Sequence, residues 1–213
     1  MAGSLGEIES TTVEGRWGRL RPLVSSDVAS LYRLQHDESE DSTWREMKVG
    51  PFANQVAFAA HVDELLADPH RAFFAIASKD DAPLGWLCLM EAQPVHRSIE
   101  LGYVLFTPPL RRTTLATEAF YLAMTHVFDT LGHQRLEWTC TATNLASRKA
   151  ADRLGFVFEG LMRSKLVLKG VTHDIPLYSM LAGEWSARRL AMQRWLDPAN
   201  FDQNGQQRTA LGT

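Results

Sequence analysis

Apolar positions along the chain keep two rhythms, short continuous or alternating runs and a three-and-four spacing, and the switches between them mark its elements. GRLRPL (Gly18–Leu23) reads as a strand, and SSDVASLYRL as a helix opened by a Ser/Asp cap. From Asn54 onward, Phe58, His61, Val62, Leu65 and Leu66 share one helical face. AFFAIA (Ala72–Ala77) and LGWLCLM (Leu84–Met90), with SKDDAP between them, predict a hairpin, and IELGYVLF (Ile99–Phe106) a further strand. Leu115–Leu131 is helical, with Leu115, Ala119, Leu122, Ala123 and Leu131 on one face and Gly132 as the stop. RLEWTC alternates Leu136, Trp138 and Cys140 as a half-buried strand. Asn144 opens a short helix that Gly155 ends. Two strands then turn at Lys169–Gly170, and Glu184–Leu196 is an amphipathic helix rich in Arg and Trp. Helices interleaved with a largely antiparallel sheet predict an α/β (α+β) fold in three layers.

A chain of 213 residues suits one domain. Residues 1–16 read as a loose arm, 17–197 as the domain and 198–213 as a polar tail. Hydrophobic residues make up 45% of the chain, enough for a sizeable core. The net charge of −3 argues against general nucleic-acid affinity, so any anion site must be local. Cys88 and Cys140 both fall in apolar runs and read as core thiols in a reducing compartment. No leader and no membrane-length apolar run is found, so a cytoplasmic protein is expected. His61 has no HExxH companion, and no metal is expected.

One local anion site is legible in TPPLRRTTLATEAF (Thr107–Phe120), where two prolines end a strand and Arg111, Arg112, Thr113 and Thr114 precede a helix. A helix start leaves backbone N–H groups without partners and carries partial positive charge. If Thr113, Thr114, Leu115, Ala116 and Thr117 form the first turn, those donors and the two guanidinium groups make a phosphate cradle. The alternative is a solvated arginine pair on a capped surface loop. Asn144 and Ser147 stand three apart at the next helix start, where simple capping would also account for them.

Taken together, these segments resemble the GNAT N-acetyltransferases. LGYVLFTPPLRRTTLATEAF is similar to that family's acyl-CoA motif, R/Q-x-x-G-x-A/G, and NLASRKAADRLGF to its following N-x-x-S…G-F motif. TWREMKVGPF and HDIPLYSMLAGEW resemble the RimJ/RimL-type branch, so the likeness runs from Gly18 to Phe201. One position departs: Thr114 stands where the family carries glycine, which puts close backbone approach to a pyrophosphate in question.

The resemblance implies acetyl-CoA as cosubstrate and direct acetyl transfer to a primary amine, either a protein N-terminal α-amine or a small molecule. An α-amine with pKa near ~8 asks less of a base than a lysine near ~10. It also implies that the pantetheine arm pairs along Tyr103–Phe106, including Leu105 and Phe106, with the pyrophosphate at Arg111–Thr117 and further contacts at Asn144 and Ser147. Ser147 is the candidate for protonating the departing thiolate and Glu100 for the base. Which face of its strand Glu100 occupies is open. His96, His126 and His173 are weaker candidates. Two other readings stand beside the enzyme: a CoA-binding module without catalysis, and an interaction domain using the final helix. Acceptor identity and oligomeric state, monomer or homodimer, are left open.

Overall fold

The computed structural model describes residues 11–36 and 42–211. Along them run β1 (Val13–Glu14), β2 (Gly18–Pro22), α1 (Val28–His36), the single turn α2 (Ser42–Arg45) and α3 (Gln55–Leu66). There follow β3 (Arg71–Ser78), β4 (Pro83–Gln93), β5 (Ser98–Phe106), α4 (Thr114–Thr125), β6 (Arg135–Thr139) and α5 (Leu145–Leu154). The chain closes with β7 (Val157–Leu168), β8 (Val171–Leu181) and α6 (Ala182–Leu196). The strands form one sheet in the order β1–β2–β3–β4–β5–β6–β8–β7. Neighbours pair antiparallel except β5 and β6.

Both faces of the sheet are covered, which is why β3 and β4 are apolar without alternation. Phe73, Ala75, Trp86 and Cys88 join a core with α1 and α3, while Phe74, Ile76, Leu87 and Leu89 join another with α4, α5 and α6. The expected three layers are therefore present. The β7–β8 turn has φ of +49° at Lys169 and +80° at Gly170, the left-handed pair that a two-residue hairpin requires.

Several boundaries differ from the sequence reading, each for a physical reason. The arm expected over residues 1–16 is outside the described residues up to residue 10, but Val13–Glu14 pairs with β2. Its anchor is Glu118 of α4, only 3% exposed, whose carboxylate accepts the N–H groups of Arg16 (2.7 Å), Trp17 (2.8 Å) and Gly18 (3.0 Å). A buried carboxylate must find donors, and here the backbone supplies them. The tail from 198 also folds back: Gln207 accepts the Trp195 indole N–H at 2.7 Å, and Leu211 is buried. Helix α6 begins at Ala182, with Glu184 reaching back to accept the Leu181 N–H at 2.8 Å. The helix predicted over Leu115–Leu131 is α4 followed by one wider turn, His126–Thr130, ahead of Gly132 at φ +68°.

Candidate active site

The sheet opens at β5. Ser98–Glu100 pair with Arg135–Glu137 of β6, and the ladder stops there. Strand β4 stays with β5 as far as Phe106, but the register slips by one between Cys88↔Gly102 and Trp86↔Leu105. Tyr103 sits in that slip at φ +51°, the conformation of a bulge. The extra residue reverses the side-chain alternation. Ile99 and Leu101 face the α4–α6 core, whereas Leu105 faces the α1–α3 core.

Beyond Glu100 the gap between β5 and β6 opens into a cavity of about 870 Å³. It is lined from one face of the sheet by Met90, Glu100, Thr139 and Glu46, and from the other by Phe120, Trp138 and Ser147. The turn α2 closes one side, held by Arg111 to Thr43 Oγ1 (2.5 Å) and by Lys169 Nζ to the Trp44 carbonyl (2.6 Å).

Glu100 is turned into the cavity, which answers the question of its face. Its neighbours Ile99 and Leu101 point into the opposite core, so parity sends the carboxylate the other way. It is 9% exposed, and its Oε1 accepts the Thr139 hydroxyl at 2.7 Å. Burial pushes its carboxyl pKa up from the ordinary value; Thr139 opposes this, Glu137 and Glu91 add to it, and Lys48 opposes. A carboxylate held this way is a better proton acceptor than an exposed one.

Ser147 lies on the first turn of α5 and lines the same cavity. Its N–H donates to Asn144 Oδ1 at 3.0 Å, so Asn144 is the cap that the sequence suggested, and Asn144 also lines the cavity. Ser147 Oγ accepts the indole N–H of Trp138 at 2.9 Å.

The loop before α4 divides the roles expected of its residues. Thr113 is the cap rather than the first helical residue: Oγ1 accepts the Ala116 N–H (3.1 Å) and donates to the Leu110 carbonyl (2.7 Å). Thr114 and Leu115 are then the first helical residues, and their N–H groups have no partner within the helix. The two arginines part company. Arg111 lines the cavity but spends its guanidinium on the Phe106 carbonyl (3.0 Å) and Thr43, and burial lowers its pKa. Arg112 is exposed, at φ +62°.

Of the remaining cofactor positions, Phe106 lines the cavity and packs its ring 5.4 Å from that of Phe120. The Leu105 side chain is buried away from the cavity by the bulge, so only its backbone faces are free for a ligand. Leu115 and Ala116 are buried in the α4 core, and the Thr117 hydroxyl accepts from Arg153 Nη1 at 3.2 Å. Thr114 is half-buried at the helix start. His126 is buried in the core, and neither it nor His96 nor His173 reaches the cavity.

Sequence reasoning missed four contributors. Thr139 and Trp138 alternate on β6, one holding Glu100 and the other Ser147, a pairing that only the splay of β5 from β6 reveals. Glu46 accepts the hydroxyls of Thr141 (2.5 Å) and Thr143 (3.2 Å) across a sequence distance no local pattern reports. Cys140 is a correction: β6 ends at Thr139, so this thiol is half-buried at the cavity rather than a core strand residue. Burial raises its pKa, against a hydrogen bond from Ser147. Cys88 is fully buried, as expected. Among the described residues no group of three His, Cys, Asp or Glu could hold a metal, and no helix is long and apolar enough to cross a membrane.

Residues 19–157 match the family described as the acetyltransferase (GNAT) domain. A GCN5-related N-acetyltransferase structure from Brucella melitensis is 37% identical, with a TM-score of 0.90 over 95% of this chain and 93% of that one. A Chromobacterium violaceum structure assigned to the GNAT family is 38% identical, with a TM-score of 0.80 over 87% of this chain and 91% of that one. In Bacillus subtilis, YdaF, whose name marks it as a candidate ribosomal N-acetyltransferase, is 29% identical over 52% of this chain. The match spans 60% of YdaF's length.

Proposed function

The chain belongs to the GNAT acetyltransferase family, and from that premise we propose that it is a RimJ/RimL-like member that transfers the acetyl group of acetyl-CoA directly to a primary amine in the β5/β6 cavity. The observation carrying this reading is that Glu100 and Ser147, from opposite faces of the sheet, line one cavity where two parallel strands part.

The chain's own groups fit the cosubstrate. Past Glu100, β5 has no β6 partner, leaving strand backbone on that side for an extended pantetheine arm. The open N–H groups of Thr114 and Leu115 suit a pyrophosphate, with Arg112 the exposed cation beside them. Thr114 would meet that phosphate as a helix-start donor, a role that does not need glycine's missing side chain. When bound, acetyl-CoA supplies the thioester that is broken.

Glu100 takes the proton that the amine gives up on forming its new bond, directly or through one water. Backbone N–H groups beside the Tyr103 bulge would stabilise negative charge on the thioester oxygen. Ser147 gives its hydroxyl proton to the departing thiolate and regains one from water. The net change is one amine proton replaced by acetyl and one thiol formed.

Two unpaired cysteines suit a reducing, cytoplasmic setting for this chemistry. The test is thiol release from acetyl-CoA across a panel of peptide N-termini and small amines. One or more acceptors should raise the rate well above solvent, and a flat panel with intact acetyl-CoA binding would leave a binding module instead.

A further inference from the structure

Resting on the reading of Ser147 as proton donor, we propose that Trp138 is a positioning residue for it: the indole N–H holds the serine oxygen so that the serine's own proton points at the leaving sulfur. Trp138 is 4% exposed on β6, and its ring is wedged between Phe120 (centroids 5.3 Å apart) and Phe156 (5.4 Å). Three packed rings leave the indole one orientation, and in it Nε1 donates to Ser147 Oγ at 2.9 Å.

A serine hydroxyl has one proton and two lone pairs, and the proton otherwise rotates to suit its surroundings. The Ser147 backbone N–H is already committed to Asn144 Oδ1 at 3.0 Å, which fixes the residue on the first turn of α5. With one lone pair of Oγ filled by a donor that cannot move, the hydroxyl proton is turned away from the indole. The half-buried Cys140 thiol lines the same cavity as Ser147, and Ser147 opposes the rise that burial imposes on the Cys140 pKa.

The same contact assists the proton transfer. As the O–H bond breaks toward the thiolate, negative charge grows on Oγ, and a preorganised donor in a half-buried place stabilises it without reorientation. The proton passes from Oγ to sulfur, water restores it to Oγ, and the amine's proton has left through Glu100. Trp138 acts through Ser147, to which its Nε1 donates.

The experiment replaces the indole N–H without changing the ring shape, by placing 3-benzothienylalanine at position 138, with Trp138→Phe as the genetic companion. Each is made in wild-type and Ser147→Ala backgrounds, and kcat and the acetyl-CoA KM are measured with the best acceptor of the panel. The expected result is a fall in kcat of about 5- to 10-fold, the scale of one lost hydrogen bond, with KM unchanged and no further fall once Ser147 is alanine. If Trp138→Phe fails to fold, the benzothienyl variant, which matches the native volume, decides. A wild-type kcat in that variant while Ser147→Ala is slow would overturn the positioning role and leave the acid role standing. Losses that multiply independently in the double variant would also overturn it. A wild-type rate for Ser147→Ala would remove both.

Discussion

Glu100→Gln separates catalysis from stability by moving the two in opposite directions. Glutamine keeps the shape and the carbonyl oxygen that accepts the Thr139 hydroxyl at 2.7 Å, and removes the negative charge and the basicity. Loss of a general base costs ~10²–10⁴ in rate, or ~2.7–5.4 kcal/mol of transition-state stabilisation at ~1.36 kcal/mol per tenfold. Stability should behave otherwise. Burial raises the folded-state pKa of Glu100, so the native protein keeps this proton to higher pH than the unfolded chain does. For a carboxyl shifted upward, the native state is favoured below the ordinary value and loses stability as pH rises through the raised one. Above that window the wild type carries a buried charge that glutamine lacks. Thermal melts at pH 8 should therefore find Glu100→Gln as stable as wild type or more so, and the difference should shrink or vanish toward pH 4. In thiol-release assays, wild-type kcat should fall on acidification through the raised pKa, while the variant stays low and flat. A variant with kcat within about threefold of wild type would refute the base role on the scale expected of one. A variant that melts lower at pH 8 would refute the burial argument, because it would mean the ionised carboxylate is held favourably.

Glu118→Ala leaves three backbone N–H groups of the Arg16–Gly18 segment without their acceptor, and urea unfolding should show a loss of about 3 kcal/mol, partly relieved by water. A loss under about 1 kcal/mol would mean that the segment is held elsewhere. Arg112→Ala should weaken CoA binding about tenfold in isothermal titration and leave the melting temperature unchanged, because this side chain is exposed. Arg111→Ala should lower the melting temperature, because its contacts with the Phe106 carbonyl and Thr43 go with it. If Arg112→Ala binds CoA as wild type does, that cation plays no part in holding the phosphates.

Much of this architecture is legible in the chain, and what is not has a common cause. Continuous apolar runs in β3 and β4 announce burial on both faces, and Asn144, Gly155 and the Lys169–Gly170 turn mark their elements by local chemistry. Periodicity could not decide the face of Glu100, because the deciding object is the bulge at Tyr103, one extra residue that reverses parity partway along β5. For the same reason Leu105, which reads as a cofactor contact in register, has its side chain in the opposite core. Arg111 and Arg112 look alike in sequence, yet the left-handed backbone at Arg112 sends one to the strand end and leaves the other in solvent. Contacts such as Trp138 to Ser147, Thr139 to Glu100 and Glu46 to Thr141 join elements whose approach is set by the splay of β5 from β6. No local pattern encodes that splay.

Direct transfer is most plainly tested by counting products in one vessel. The protein would be mixed with isotopically labelled acetyl-CoA and the best acceptor, and mass spectrometry would quantify free CoA, acetylated amine and the intact protein at successive times. Direct transfer requires one acetylated amine for each CoA released and no labelled acetyl on the protein at any time, Cys140 included. CoA release without acetylated amine, or a labelled Cys140 that forms and decays at the turnover rate, would contradict it.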